Sequence, residues 1–184
     1  MNKRVLILHG LGGSDYPHWQ SCLAADLIKQ NATVSFPAFP NRDNPKLEEW
    51  KENLKKEISH FKPEIVICHS LANVLWFHTC DELDIKLEKL MLVAPVSRNR
   101  VVEAAKTFYP YPIAKDLKAK DIIMLASTND PYMTEEEAME LKEALNVEIN
   151  VMKDAGHINA DSGFGSHDFA LEWLTSEENS KGYL

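Results

Sequence analysis

The chain has 184 residues, 45% of them apolar and 26% charged, with a formal net charge of −8. Such a chain suits one soluble globular domain, 1–184, long enough to bury a sizeable core. The acidic balance argues against nucleic acid or an anionic membrane as the main partner, because both attract positive surface.

Met1-Asn2-Lys3-Arg4 runs directly into Val5-Leu6-Ile7-Leu8. That apolar run is too short for a signal peptide, and a membrane helix needs about 20 residues. The expectation is a cytoplasmic protein. Cys22, Cys68 and Cys80 are odd in number and lack metal-like spacing, so they read as small buried thiols in a reducing compartment.

Six short apolar runs follow one another: 4–8, 33–36, 64–68, 89–94, 121–126 and 147–152. The best of them do not alternate with polar residues, which suits strands buried on both faces of a parallel sheet. Helical spacing fills the gaps. Segment 19–29 carries Leu23, Leu27 and Ile28, and segment 46–60 carries Leu47, Trp50, Leu54 and Ile58. Asn44-Pro45 is the expected N-terminal signal of the latter, with Asn as cap and Pro at the first position. Segment 71–80 follows Ser70. Segment 134–145 opens with Thr134 and Glu137, a capping-box pair, and 168–174 is the last helix. The alternation predicts a three-layer α/β fold, with a mostly parallel sheet of about six strands and helices on both faces. No internal repeat or linker interrupts it. Segment 97–118 fits neither strand nor crossover, and the polar tail 175–184 is expected to fray.

Four motifs carry chemistry. Leu8-His9-Gly10-Leu11-Gly12-Gly13 places a glycine-rich turn after the first strand. There the Leu11 N–H, together with that of Leu71, is positioned to form an oxyanion hole. A phosphate loop is the competing reading, but no Gly-Lys-Ser/Thr or Gly-x-Gly-x-x-Gly follows. Ile65-Val66-Ile67-Cys68-His69-Ser70-Leu71-Ala72 is laid out as a nucleophile elbow, in which a sharp strand-to-helix turn lifts a serine out of the sheet. Its flanks are Cys68 and Ala72 rather than glycines, and an ordinary serine helix cap is the alternative. Asp130, after run 121–126, is the candidate acid that orients an imidazole, or else a turn residue before Pro131. His157, just past the last run, is the candidate base, with Asp154 the weaker alternative acid. Serine, acid, histidine is the chain order of α/β-hydrolases. His9 and His69 flank the two oxyanion loops as supporting residues. His18 is placed where it could line a site but comes from the wrong end of the chain for a base, and His60, His78 and His167 lie on or beside helices. There is no His-Glu-x-x-His and no Cys-x-x-Cys, so neither a metal nor another cofactor is expected.

Over residues 3–174 the sequence resembles the small α/β-hydrolases that include retinoblastoma-binding protein nine and many bacterial serine hydrolases. The resemblance is carried by His9-Gly10-Leu11-Gly12-Gly13-Ser14, His18-Trp19-Gln20, His69-Ser70-Leu71, Asn129-Asp130-Pro131 and Gly156-His157-Ile158-Asn159, with Ser162-Gly163-Phe164-Gly165 behind. It implies a triad of Ser70, Asp130 and His157 and little or no lid. Cys68 and Ala72 depart from the family, which usually has glycines there. The expected activity is hydrolysis of small carboxylic esters through an acyl-enzyme, with amides or thioesters as near alternatives. Phe108, Tyr109 and Tyr111 are expected to rim the acyl pocket, with Trp19 opposite. A weakly catalytic module that binds a protein partner is the rival, since fold does not fix function.

Overall fold

The computed structural model describes residues 1–165 and 168–176. Six strands form one sheet: β1 (Arg4–Leu8), β2 (Thr33–Ser35), β3 (Ile65–His69), β4 (Leu87–Val93), β5 (Ala119–Ser127) and β6 (Glu148–Met152). Their order is β2-β1-β3-β4-β5-β6, and every neighbouring pair is parallel. Five helices alternate with them: α1 (Trp19–Lys29), α2 (Leu47–Phe61), α3 (Leu71–Thr79), α4 (Glu135–Leu145) and α5 (Asp168–Thr175).

The apolar runs are continuous because both faces of the central strands are covered. Leu6, Leu8, Val66, Cys68, Leu90 and Leu92 point into one core, against α2, α3 and α4. Val5, Ile7, Ile65, Ile67, Met91 and Val93 point into the other, against α1 and α5. α3 is buried on almost every side, as its apolar sequence requires. Strand order reverses between β1 and β3, and a crevice outside their carboxyl ends is where open α/β sheets bind ligands. Leu8 pairs with Cys68, so the glycine-rich turn and the serine emerge side by side.

Two helix starts illustrate the local rules. Thr134 Oγ1 accepts the Glu137 N–H and Glu137 Oε2 accepts the Thr134 N–H, a complete capping box. α2 departs from its expectation: Lys46 is its cap and makes no side-chain cap bond, while the Leu47 N–H donates to Thr107 Oγ1 at 3.1 Å. Asn44-Pro45 lies before the helix, because a residue from the 97–118 segment satisfies the orphan donor. That segment contains a 3-10 helix, Glu103–Phe108, packed beside α2. At the tail, Thr175 belongs to α5, and the buried Lys89 ammonium donates to the Trp173 and Ser176 carbonyls. The rest of the expected frayed tail, 177–184, and His167 lie outside the described residues. Cys68 and Cys80 are buried, whereas Cys22 is partly exposed. No helix among the described residues is long and apolar enough to cross a membrane.

Candidate active site

Ser70 sits between β3 and α3 with φ 56° and ψ −121°, a left-handed backbone that a non-glycine residue adopts at a cost of about 1–3 kcal/mol. The surroundings hold it there. Its N–H donates to the Val93 carbonyl at 3.0 Å, and Asn73 Nδ2 bridges the Ser70 and Val93 carbonyls at 2.9 Å each. Gly10 makes room from the neighbouring loop: a Cβ there would stand 2.7 Å from Ser70 Cβ and 3.2 Å from its Oγ. Crowding therefore falls on Gly10, and Cys68 and Ala72 fit, fully buried, where glycines are usual. Burial pushes the Cys68 thiol well above its ordinary range, which disfavours the thiolate.

Ser70, His157 and Asp130 meet. Ser70 Oγ lies 2.7 Å from His157 Nε2, and His157 Nδ1 lies 2.8 and 3.0 Å from the two Asp130 oxygens. A carboxylate only accepts, so Nδ1 carries the ring proton, and Nε2 is free to accept from the serine hydroxyl. Asp130 Oδ1 also accepts the Tyr132 N–H at 2.8 Å. Asp154 takes no part; its backbone N–H donates to Thr128 Oγ1.

The loop that carries His157 is fastened by side chains to which the sequence alone assigns no role. Asn129 Oδ1 accepts the Gly156 N–H at 2.7 Å, Ser127 Oγ accepts the Ala155 N–H at 3.0 Å, and Ser162 Oγ accepts the His157 N–H at 3.0 Å. Gly156, at φ +56°, leaves no room for a Cβ, which would meet Ser162 Oγ at 2.4 Å. Tyr132 packs edge-on against the His157 ring at 4.5 Å. The Asn129-Asp130-Pro131 and Gly156-His157-Ile158-Asn159 motifs were the available signal, but nothing in them says that one grips the other.

His9 and His69 are supports, as their positions suggest. His9 Nε2 accepts the Phe39 N–H at 2.9 Å, so Nδ1 bears the proton and donates to the Gly10 carbonyl at 2.7 Å. Fixing that carbonyl turns the N–H of the same planar peptide, that of Leu11, the opposite way. His69 Nε2 donates to the His157 carbonyl at 3.1 Å. Burial above all, then the neighbouring His157 and His18, hold His69 well below the usual imidazole range. Burial likewise lowers His9 and, with His157 nearby, brings His18 down to about 4.

A cleft of about 350 Å³ opens over Ser70 and His157. Leu11, Leu71 and Tyr109 line it, as do Val96, Val102 and Ala105. Three expected rim residues do not. Trp19 is fully buried, its indole N–H donating to the Ile158 carbonyl at 2.8 Å. Phe108 is buried against Trp50. Tyr111 is buried with its hydroxyl on the Val96 carbonyl at 2.7 Å. Trp19 opens α1 and packs on Phe169 in the core on that face, while Phe108 and Tyr111 are core residues because the 97–118 segment folds them inward against α2 and α3. Tyr132 and His18 supply the ring surfaces of the cleft beside Tyr109. Among the described residues no group of His, Cys, Asp or Glu side chains is arranged to hold a metal ion.

The serine hydrolase family model matches residues 5–176. The chain belongs to the serine hydrolase family. Among solved structures, it is similar to a YdeN-like hydrolase of Pectobacterium atrosepticum, with 26% identity over 94% of this chain and 89% of that one and a TM-score of 0.74. The ydeN gene product of B. subtilis aligns at 22% identity over 95% and 97% of the two chains, with a TM-score of 0.77. An esterase domain of a Rhodothermus marinus protein shares the fold at 12% identity over 94% and 84%, with a TM-score of 0.66. No curated protein matches the sequence. The protein is a serine hydrolase with the α/β-hydrolase architecture.

Proposed function

We propose that this serine hydrolase cleaves small carboxylic esters through an acyl-enzyme, with Ser70 as nucleophile, His157 as general base and then acid, and Asp130 holding the imidazole. The observation that carries the reading is the continuous hydrogen-bond chain from Ser70 Oγ through His157 to Asp130. A serine alcohol is a weak nucleophile, and an adjacent imidazole removes its proton as the carbonyl is attacked. The developing oxyanion is held by the Leu11 and Leu71 N–H groups. Neither bonds another group among the described residues, and Leu71 opens α3, where the helix dipole favours negative charge. His157 then gives its proton to the leaving alcohol, and water releases the acyl group. The whole chain acts as one domain, in the cytoplasm, where three unpaired cysteines are at home.

The test compares an ethyl ester, a thioester and an anilide of the same short acyl group, with Ser70→Ala as control. The expected result is ester turnover, reduced by at least about a thousandfold in Ser70→Ala at unchanged melting temperature. Turnover that survives Ser70→Ala, or a preference for the anilide or thioester, would contradict it.

A further inference from the structure

The two walls of the cleft differ in chemistry. One comes from the segment after β4 and presents Val96, Val102, Ala105 and the Tyr109 ring. The other comes from the loops leading into α1 and α5 and presents His18, Asn159 and Asp161. His18 is 6% exposed, and its ring packs on His69 at 4.9 Å. Its Nδ1 accepts the Gln20 N–H at 3.2 Å and caps α1. A neutral imidazole that accepts at Nδ1 carries its proton on Nε2. Burial and the nearby His157 keep this ring neutral down to about pH 4. The Nε2–H is therefore a donor on the wall of the cleft with no acceptor among the described residues. Asp161, which adds an attractive charge to His18, is exposed and makes no side-chain hydrogen bond among the described residues.

We propose that His18 is a specificity-determining residue that reads the alcohol half of the ester, and that the favoured alcohol carries a further hydroxyl, as glycerol does. This rests on the ester-hydrolase reading above. His157 Nε2 must reach the leaving oxygen to protonate it, so the alcohol lies on the His157 side of Ser70. That is the wall of His18 and Asp161. A hydroxyl there accepts from His18 Nε2–H and donates to the Asp161 carboxylate, using both capacities of its oxygen. The acyl group then lies along the apolar wall, where Val96, Val102 and Ala105 offer no polar partner.

Glyceryl monobutyrate and propyl butyrate share acyl group and carbon count and differ in two hydroxyls. The ratio of their kcat/KM values is the readout. The parent is expected to favour the glyceryl ester, and His18→Asn to lower that ratio about tenfold, the worth of one hydrogen bond. Asn keeps an acceptor for the Gln20 N–H and preserves the cap, so a melting temperature near the parent's accompanies the change. Asp161→Asn, on an exposed side chain, is expected to lower the ratio too, and His18→Gln, which restores an N–H near the Nε2 position, to recover part of it. A ratio near one in the parent, or one unmoved by His18→Asn while both esters are cleaved, overturns this proposal alone. Failure of the parent to cleave either ester overturns the ester reading and this proposal together.

Discussion

Ser70 and His157, the proposed nucleophile and base, are held in opposite ways. Ser70 is gripped by backbone and close packing: a left-handed φ, the Val93 carbonyl, the Asn73 clamp and the bare face of Gly10, all between central strands. His157 hangs on a loop beyond the half-exposed edge strand β6, tied by side-chain hydrogen bonds from Asn129, Ser127 and Ser162. The first arrangement has no slack, because any added atom must displace the serine. The second is a set of separate bonds that can be removed one at a time. The turn at Ser70 should therefore fail as a unit and the His157 loop by degrees.

The sharpest way to break the comparison is Gly10→Ala. Its methyl would overlap Ser70 Cβ at 2.7 Å, so ester turnover is expected to fall at least about a hundredfold, since misplacement of about 1 Å costs that much. Turnover within a few-fold of the parent would show that the elbow has slack. Asn73→Ala comes next. It removes both bonds to the Ser70 and Val93 carbonyls, with an expected loss of about 2 kcal/mol in denaturant unfolding and a matching fall in kcat. Asn129→Ala tests the other side. Losing the Gly156 tie should lower kcat roughly tenfold with little change in stability, at most about 1 kcal/mol. An effect of Asn129→Ala as large as that of Gly10→Ala would erase the distinction.

Proton uptake sharpens it further. His9, His18 and His69 all have folded-state values below the ordinary imidazole value of 6.5. The unfolded chain therefore binds protons that the folded chain refuses. Stability rises with pH through this window and is lost as pH falls from 6.5 toward about 4, the value for His18. His69 packs against His157 and His18 packs against His69, so melting temperature should drop between pH 7 and pH 5, and the drop should be smaller in His18→Asn. A melting temperature flat over that range would contradict the neutral assignment of these rings. The smallest effect belongs to Tyr109→Phe. The phenol oxygen is buried without a partner, and burial raises its pKa to about 12, so its removal should be neutral or stabilising within about 0.5 kcal/mol.

These contrasts also explain what the sequence could reveal. Strand ends are legible from apolar runs, and Ser70, Asp130 and His157 each follow one, so their order could be read without coordinates. β1 and α1 fall where their patterns end, while β4 and β5 start earlier than their apolar cores because Leu87 and Ala119 already pair across the sheet. Contacts distant in sequence left no such mark. The grip of Asn129 on Gly156 spans 27 positions, and the cap from Thr107 to Leu47 spans 60. The aromatics of the 97–118 segment misled for the same reason. Phe108 and Tyr111 look like rim residues until Trp50 and Phe77 are seen to bury them. His18, which the sequence offers as a site-lining residue and not as the base, does line the cleft, because α1 begins there.

The central claim is that His157 activates Ser70, and labelling with a fluorophosphonate probe tests it most directly. The folded parent is expected to be labelled at Ser70, with labelling lost in Ser70→Ala and in His157→Ala. An unlabelled, folded parent, or labelling that persists without His157, would contradict the claim.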